Sequence, residues 1–284
     1  MTVVAVVCAV VAVCLAVLSL VLTTRLRRAR AQLAQDQSVA QNEQSSLQAR
    51  AADLQRSNAE LEQFAYLASH DLQEPLRKVA SFCQLLQRRY AGKLDARADQ
   101  YIEFAVDGAK RMQALINDLL AFSRVGQTEI QPSLVSSDTA LTQAKANLAE
   151  EIEKSGATIE AGHLPLVLAE LPLLTAVFQN LLSNAIKFSG PAPPRIVVAA
   201  RQDGRQWQFS VTDHGIGVEP RYADRIFVLF QRLNERSAYP GTGVGLAMCR
   251  KIVEYFGGRI WLDTSSSPDG TTRFCFTLPG DDDE

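Results

Sequence analysis

Residues 64–76 read FAYLASHDLQEPL. Phe64, Leu67, Leu72 and Leu76, continued by Val79, Phe82 and Leu86, trace the apolar stripe of an amphipathic helix. His70 is one of only three histidines in the chain. It sits among Ser69, Asp71 and Glu74, which puts its imidazole on the wet side of that helix. Pro75 lies inside the same run. A proline there deletes a backbone donor and clashes with the preceding turn, at about 3 kcal/mol. Because the periodicity resumes to Leu86, a kink is expected rather than a helix end, with a hinge beside His70.

Downstream, Ala91, Gly92 and Lys93 break the pattern, and Ile102, Phe104, Ala105, Met112, Leu115, Ile116 and Leu119 start a second amphipathic run. The two make a helical hairpin. A hairpin this small cannot bury a full core, but two copies paired as a four-helix bundle can, so a homodimer is expected.

Upstream, Leu26, Leu33, Ala40, Leu47, Leu54 and Leu61 recur every seven residues, one seam of a coiled coil. The opposite seam is polar or small: Gln37, Gln44, Ala51, Asn58 and Ala65. This describes a marginal two-stranded coil, able to change register; a lone solvated helix is the alternative. Further back, no charged residue occurs from Thr2 to Thr24. At about 1.5 Å per residue that stretch exceeds the roughly 30 Å hydrocarbon core of a bilayer. No basic residue precedes it, as a cleaved signal peptide would require, while Arg25, Arg27, Arg28 and Arg30 follow it. A single-pass anchor in the inner (cytoplasmic) membrane is expected, with everything after it cytoplasmic by the positive-inside rule.

From Thr128 the texture changes. Ile196–Ala200, Trp207–Val211, Arg259–Leu262 and Thr272–Leu278 read as strands, Leu173–Lys187 and Val244–Phe256 as helices, and Asp203-Gly204 as a hairpin turn. An α+β sandwich follows, with helices on one face of a mixed sheet. The 281–284 tail, DDDE, is a solvated end. A formal charge of −2 offers no basic field, so no nucleic-acid partner is expected. The five cysteines lack metal-ligand spacing and read as reduced thiols in apolar surroundings, and His163 and His214 take structural or loop roles.

Four blocks occur in a fixed order. FAYLASHDLQEPL is the first, QNLLSNAIKF at 179–188 the second, DHGIG at 213–217 the third and GTGVGL at 241–246 the fourth. Each glycine pattern alone is weak, but the conjunction is specific. In these blocks, and in IFVLF at 226–230 between the last two, the sequence resembles the histidine kinase family, with its H, N, G1, G2 and F boxes. The resemblance spans about Leu61 to Pro279 and is greatest to the branch related to bacterial phytochromes. Together with the patterns above it gives a multidomain chain: transmembrane anchor 1–24 and juxtamembrane coiled-coil signalling helix 25–60 from hydropathy and heptads, a dimerisation and His-phosphoacceptor hairpin 61–127 and an ATP-binding catalytic domain 128–280 as the resemblance implies, and an acidic tail 281–284. The resemblance also implies ATP-dependent autophosphorylation on His70, followed by transfer to an aspartate in the receiver domain of a response regulator. No receiver-like segment follows Pro279, so that partner is expected to be a separate chain.

Residue chemistry agrees with this resemblance. His70 is a neutral nucleophile near pH 7, and Asp71 can fix its tautomer and take its proton. Asn184 offers the amide oxygen that Mg²⁺ accepts alongside phosphates and water. Asn180 lies one turn earlier on the same face, and Lys187 brings a cation toward phosphates, followed by Phe188. Asp213 can accept from the adenine amine but would repel the guanine carbonyl, which selects ATP over GTP. Gly215 and Gly217 let backbone approach the base. Gly241, Thr242, Gly243, Val244, Gly245 and Leu246 form a lid base whose helix N-terminus faces phosphate, and Arg232 adds a further phosphate contact. Arg236 and Tyr239 lie in the lid, and a solvated-loop reading serves both equally well. Hydrolysing relatives of this fold carry a glutamate where Asn180 stands; an amide cannot activate water. Two rivals remain: a degenerate kinase acting as a tethered scaffold, separated by labelling with ATP, and an ATPase or chaperone of the same superfamily, separated by turnover in His70→Ala.

Overall fold

The computed structural model describes residues 44–46, 48–50, 53, 56, 71–126, 132–233, 239, 241–264 and 271–280. Residues 1–62 and 63–284 form two units. In the first, the described residues are helical and exposed. The anchor expected over 1–24 and the leucine seam of the coil lie outside the described residues, as do His70, Arg236 and the 281–284 tail. Among the described residues no helix is long and apolar enough to cross a membrane.

The second unit opens with a helical hairpin. Helix α1 is helical at every residue from 71 to 90, Pro75 included, so Pro75 does not end it. Gly92 turns the chain at φ +69° and donates its N–H to Asp99 Oδ2 (3.0 Å). Helix α2, Ala96–Arg124, begins on Asp95, whose side chain accepts from the Ala98 N–H (2.7 Å). Leu72, Val79 and Phe82 on α1, with Tyr101, Phe104 and Met112 on α2, are all exposed in the single chain.

Beyond the hairpin lies the α+β layer. Strands β1 (Ser133–Ser136) and β3 (Leu166–Ala169) pair antiparallel. Strands β2 (Thr158–Ala161), β4 (Arg195–Asp203), β5 (Gln206–Asp213), β6 (Ile260–Leu262) and β7 (Thr272–Pro279) form a mixed sheet in the order β2-β4-β5-β7-β6. Only the β2–β4 pair is parallel. The β4–β5 turn is the expected one, with Asp203 opposite Gln206 and Gly204 at φ +63°. Helices α3 (Ser137–Asn147), α4 (Ala149–Ser155), α5 (Leu171–Lys187) and α6 (Gly245–Tyr255) complete the domain.

The core explains why α5 lies where it does. Leu174, Val177, Phe178, Leu181, Leu182 and Ala185 recur at helical spacing and are buried. Phe178 meets Phe209 and Phe276 edge-on at 6.0 and 5.8 Å, and those two rings stack at 4.8 Å. Aromatic pairs in such arrangements add about 0.5–1.5 kcal/mol beyond their buried area. Cys249 of α6 is fully buried and reaches the Val177 carbonyl at 3.8 Å, and burial pushes its thiol up to about 12. Cys249 and Cys275 are buried free thiols, and Cys83 is half-buried and free.

Candidate functional site

With its apolar face committed to the sheet, α5 turns its polar edge toward the start of α6. Asn180, Asn184 and Lys187 lie along that edge, all half-buried. Asn180 donates its amide N–H to the Ala176 carbonyl (2.9 Å), which leaves Oδ1 facing Gly245. A Cβ on Gly245 would stand 2.6 Å from that oxygen, so glycine is what lets α6 begin here. Asn184 is half-buried, and its backbone carbonyl accepts from the Phe188 N–H (3.0 Å).

Asp213 ends β5. Its side chain is 6% exposed, accepts from the Gly215 N–H (2.9 Å) and bonds Thr272, its register partner on β7. Burial is the main cause of its carboxyl rising to about 6; the bonds from Gly215 and Thr272 and the nearby His214 pull the other way. A buried carboxylate held by only two donors keeps acceptor capacity for a third. Gly215 packs against the end of α5, where a Cβ would collide with the Phe188 carbonyl oxygen, and the Ile216 N–H donates to that oxygen (2.9 Å). The need for glycine at 215 thus arises from protein backbone, whereas the sequence reading attributed it to a nucleotide base. Gly217 takes φ +75°.

The third wall is the loop before α6. A Cβ on Gly241 would lie 2.7 Å from Lys187 Nζ, so Lys187 reaches across to the lid base. Partial burial, and then the Arg232 charge, lower the Lys187 ammonium from its ordinary value. Arg232 donates to the carbonyls of Gly241 and Tyr239, an arrangement in which it clasps the lid. Tyr239 lies over Phe188 with ring centroids 4.9 Å apart. Phe230 adopts φ 62° and donates its N–H to the Gly243 carbonyl (3.0 Å). Thr242 and Gly243 are half-buried, Val244 is buried, and Leu246 packs against the core. Three blocks distant in sequence are therefore in contact: Gly215 on the Phe188 carbonyl, Gly241 beside Lys187 and Gly245 beside Asn180.

Asp71 is exposed on α1. Glu74 pairs with Lys78 (2.9 Å) on the exposed face, and Gln73 donates to Asn117 of α2 (3.1 Å). His163 is exposed and sits 3.0 Å from Asp138. Among the described residues no group of three His, Cys, Asp or Glu could hold a metal ion. The donor set fits a Mg²⁺ that rests mainly on phosphate oxygens, water and one amide. The sequence reading missed Thr272 as a partner of Asp213, and also the hydrogen bond from the Thr242 hydroxyl to Asp118 of α2 (2.6 Å). No local pattern marks either pairing.

The family described as His Kinase A (phospho-acceptor) domain matches residues 60–128. The family described as histidine kinase-, DNA gyrase B-, and HSP90-like ATPase matches residues 169–282. Cyanobacterial phytochrome A of Nostoc sp. is 50% identical over 229 residues, covering 81% of this chain and 30% of that protein. Phytochrome-like protein Cph1 of Synechocystis sp. is 46% identical over the same length, again covering 81% and 30%. The chain thus spans about a third of the length of these curated relatives. Among solved structures, full-length ShkA in complex with AMPPNP matches with a TM-score of 0.59 and 26% identity, over 76% of this chain and 45% of that one. The histidine kinase ThkA, solved in complex with the response regulator protein TrrA, shares the fold with a TM-score of 0.54 at 18% identity, over 78% of this chain and 64% of that one.

Proposed function

This chain belongs to the histidine kinase family, and from that premise we propose that it phosphorylates its own His70 from Mg-ATP and passes the phosphoryl group to an aspartate of a separate response regulator. The observation that carries the proposal is the meeting of Asp213, the Asn180–Asn184–Lys187 edge and the Gly241–Gly245 loop on a domain joined to a helical hairpin. In this reading Asp213 accepts from the adenine amine, and Lys187 and the amides at the start of α6 bind phosphate oxygens. Mg²⁺, held through Asn184 and the phosphates, would offset charge on the leaving diphosphate. A His70 ring nitrogen attacks the γ-phosphorus in line, the bond to ADP breaks, and Asp71 takes the proton from the other nitrogen. Asn180 supplies no general base, which favours transfer to His70 over hydrolysis.

The exposed apolar residues of α1 and α2 support a homodimer in which two hairpins close a four-helix bundle. ThkA, a kinase of this fold solved with its regulator, supports a receiver domain as the second partner. The uncharged Thr2–Thr24 stretch and the arginines after it support a single-pass anchor in the cytoplasmic membrane with the catalytic part inside. The proposal is tested by incubating the purified chain with γ-labelled ATP. Label should enter the protein. Steady ATP turnover undiminished in His70→Ala would favour a hydrolysing ATPase instead.

A further inference from the structure

The last two turns of α2 run beside α6. Val125 is buried in the core of the catalytic domain, Lys251 lies over the Phe122 ring (4.5 Å to the centroid), and Gly126 abuts Tyr255. At the other end of this seam, the half-buried Asp118 carboxylate accepts the Thr242 hydroxyl hydrogen at 2.6 Å. Thr242 Oγ1 in turn accepts from the Val244 N–H at 3.4 Å, at the N-cap of α6. Thr242 lies between Gly241, which faces Lys187, and Gly243, which packs on Phe230.

We propose that Asp118 is an autoinhibitory latch that holds the catalytic domain on its own hairpin helix and opposes entry of nucleotide phosphates. This inference rests on the nucleotide reading above. An anion beside a helix N-terminus is stabilised by the unpaired amides and the positive end of the dipole. A triphosphate bound by the start of α6 would lie against the same end of that helix. It brings several negative charges close to a carboxylate already engaged there, in a half-buried setting where water screens poorly. The two anions compete, so binding of phosphate and release of Thr242 from Asp118 form one linked equilibrium. Release removes one tie of the seam between α2 and α6, which Val125, the Lys251–Phe122 contact and Gly126 against Tyr255 also hold.

The pairing also reaches toward the phosphoacceptor. Asn117, next in sequence to Asp118, accepts from Gln73 of α1 at 3.1 Å and from Gln113 at 3.3 Å. Gln73 lies three residues after His70. Lid, latch and helix α1 are thus joined through the consecutive residues Asn117 and Asp118.

The test uses the full chain and isothermal titration with ATP and with adenosine, which lacks phosphate. Asp118→Ala removes both the hydrogen bond and the charge; Asp118→Asn keeps an acceptor but removes the charge. Asp118→Ala should bind ATP about tenfold more tightly, Asp118→Asn should fall between it and the wild type, and adenosine affinity should not change. Hydrogen exchange on the wild type supplies a readout that needs no variant: ATP should raise exchange at residues 118–126. Unchanged or weakened ATP affinity in both variants, or ATP-induced protection of residues 118–126, would overturn the latch. Equal tightening of ATP and adenosine would also overturn it, since phosphate would then be irrelevant. A wild type that binds no ATP would instead overturn the nucleotide reading on which the latch rests.

Discussion

Asn180 Oδ1 stands 2.6 Å from the point a Gly245 Cβ would occupy, and the Asn180 amide is pinned from behind by its bond to the Ala176 carbonyl. The asparagine-bearing helix and the lid helix therefore meet where a side chain on one excludes a side chain on the other. Gly245→Ala should push α6 away from α5. Overpacking of this kind costs about 1–3 kcal/mol, so ATP affinity should fall by about fivefold or more. Asn180→Ala in the same chain should recover part of the loss of thermal stability, because it removes the obstructing amide. Strictly additive melting shifts in the double variant would contradict the contact.

Asp213 makes a pH-dependent prediction of definite sign. Its carboxyl lies at about 6 in the fold, above the ordinary 3.8, so the folded state holds a proton more tightly than the unfolded state does. That contribution to stability is complete below the unfolded value and is lost as pH rises through about 6. At pH 7 the buried charge costs about 3 kcal/mol. Asp213→Asn should therefore resist denaturant better than the wild type at pH 7, with the difference vanishing toward pH 4. The same substitution should weaken ATP binding and reduce discrimination against GTP. In the wild type, ATP affinity should decline as pH falls below about 6. Equal denaturation midpoints at pH 7, or unchanged nucleotide selectivity, would count against the adenine assignment.

The chemistry-bearing blocks could be read in the sequence because each is contiguous: Gln179–Phe188 on a single helix, and Gly241–Leu246 at the start of the next. The strands at Trp207–Val211 and Thr272–Leu278 were legible from apolar alternation and β-branched content; the structure extends the first to Gln206–Asp213 and the second only by Pro279. Strands β1, β2 and β3 have four residues each, too short for a period-two pattern to stand out. Helix α3 reads SDTALTQAKAN, whose buried Ala140 and Ala144 contrast little with their polar neighbours. Thr242 and Asp118 are 124 residues apart, and nothing at either position signals the other.

The hairpin surface predicts assembly. Val79 and Phe82 on α1 are 49% and 67% exposed in the single chain, an arrangement that a second hairpin would cover. Light scattering should report a dimer for the wild type, and Val79→Glu with Phe82→Glu should yield a folded monomer. A wild type that is monomeric at micromolar concentration would contradict the bundle.

Removal of phosphate from the phosphorylated regulator should be slow. In the resembling family a Thr or Asn one turn beyond the residue after the phosphoacceptor orients the attacking water; here that position is Glu74, a negative group paired with Lys78. Gln73, the neighbour able to substitute, is engaged by Asn117. Following label loss from phosphorylated regulator with kinase and ADP should show little release, and Glu74→Thr should increase it. Fast release by the wild type would sink this account.

In the proposed reaction His70 is the nucleophile toward ATP. The direct measurement is incubation with γ-labelled Mg-ATP, followed by peptide mapping and a stability test of the label. The wild type should carry acid-labile, alkali-stable phosphate on the peptide containing His70; His70→Gln should bind ATP normally yet carry none. Label retained in His70→Gln, or found on another residue of the wild type, would contradict it.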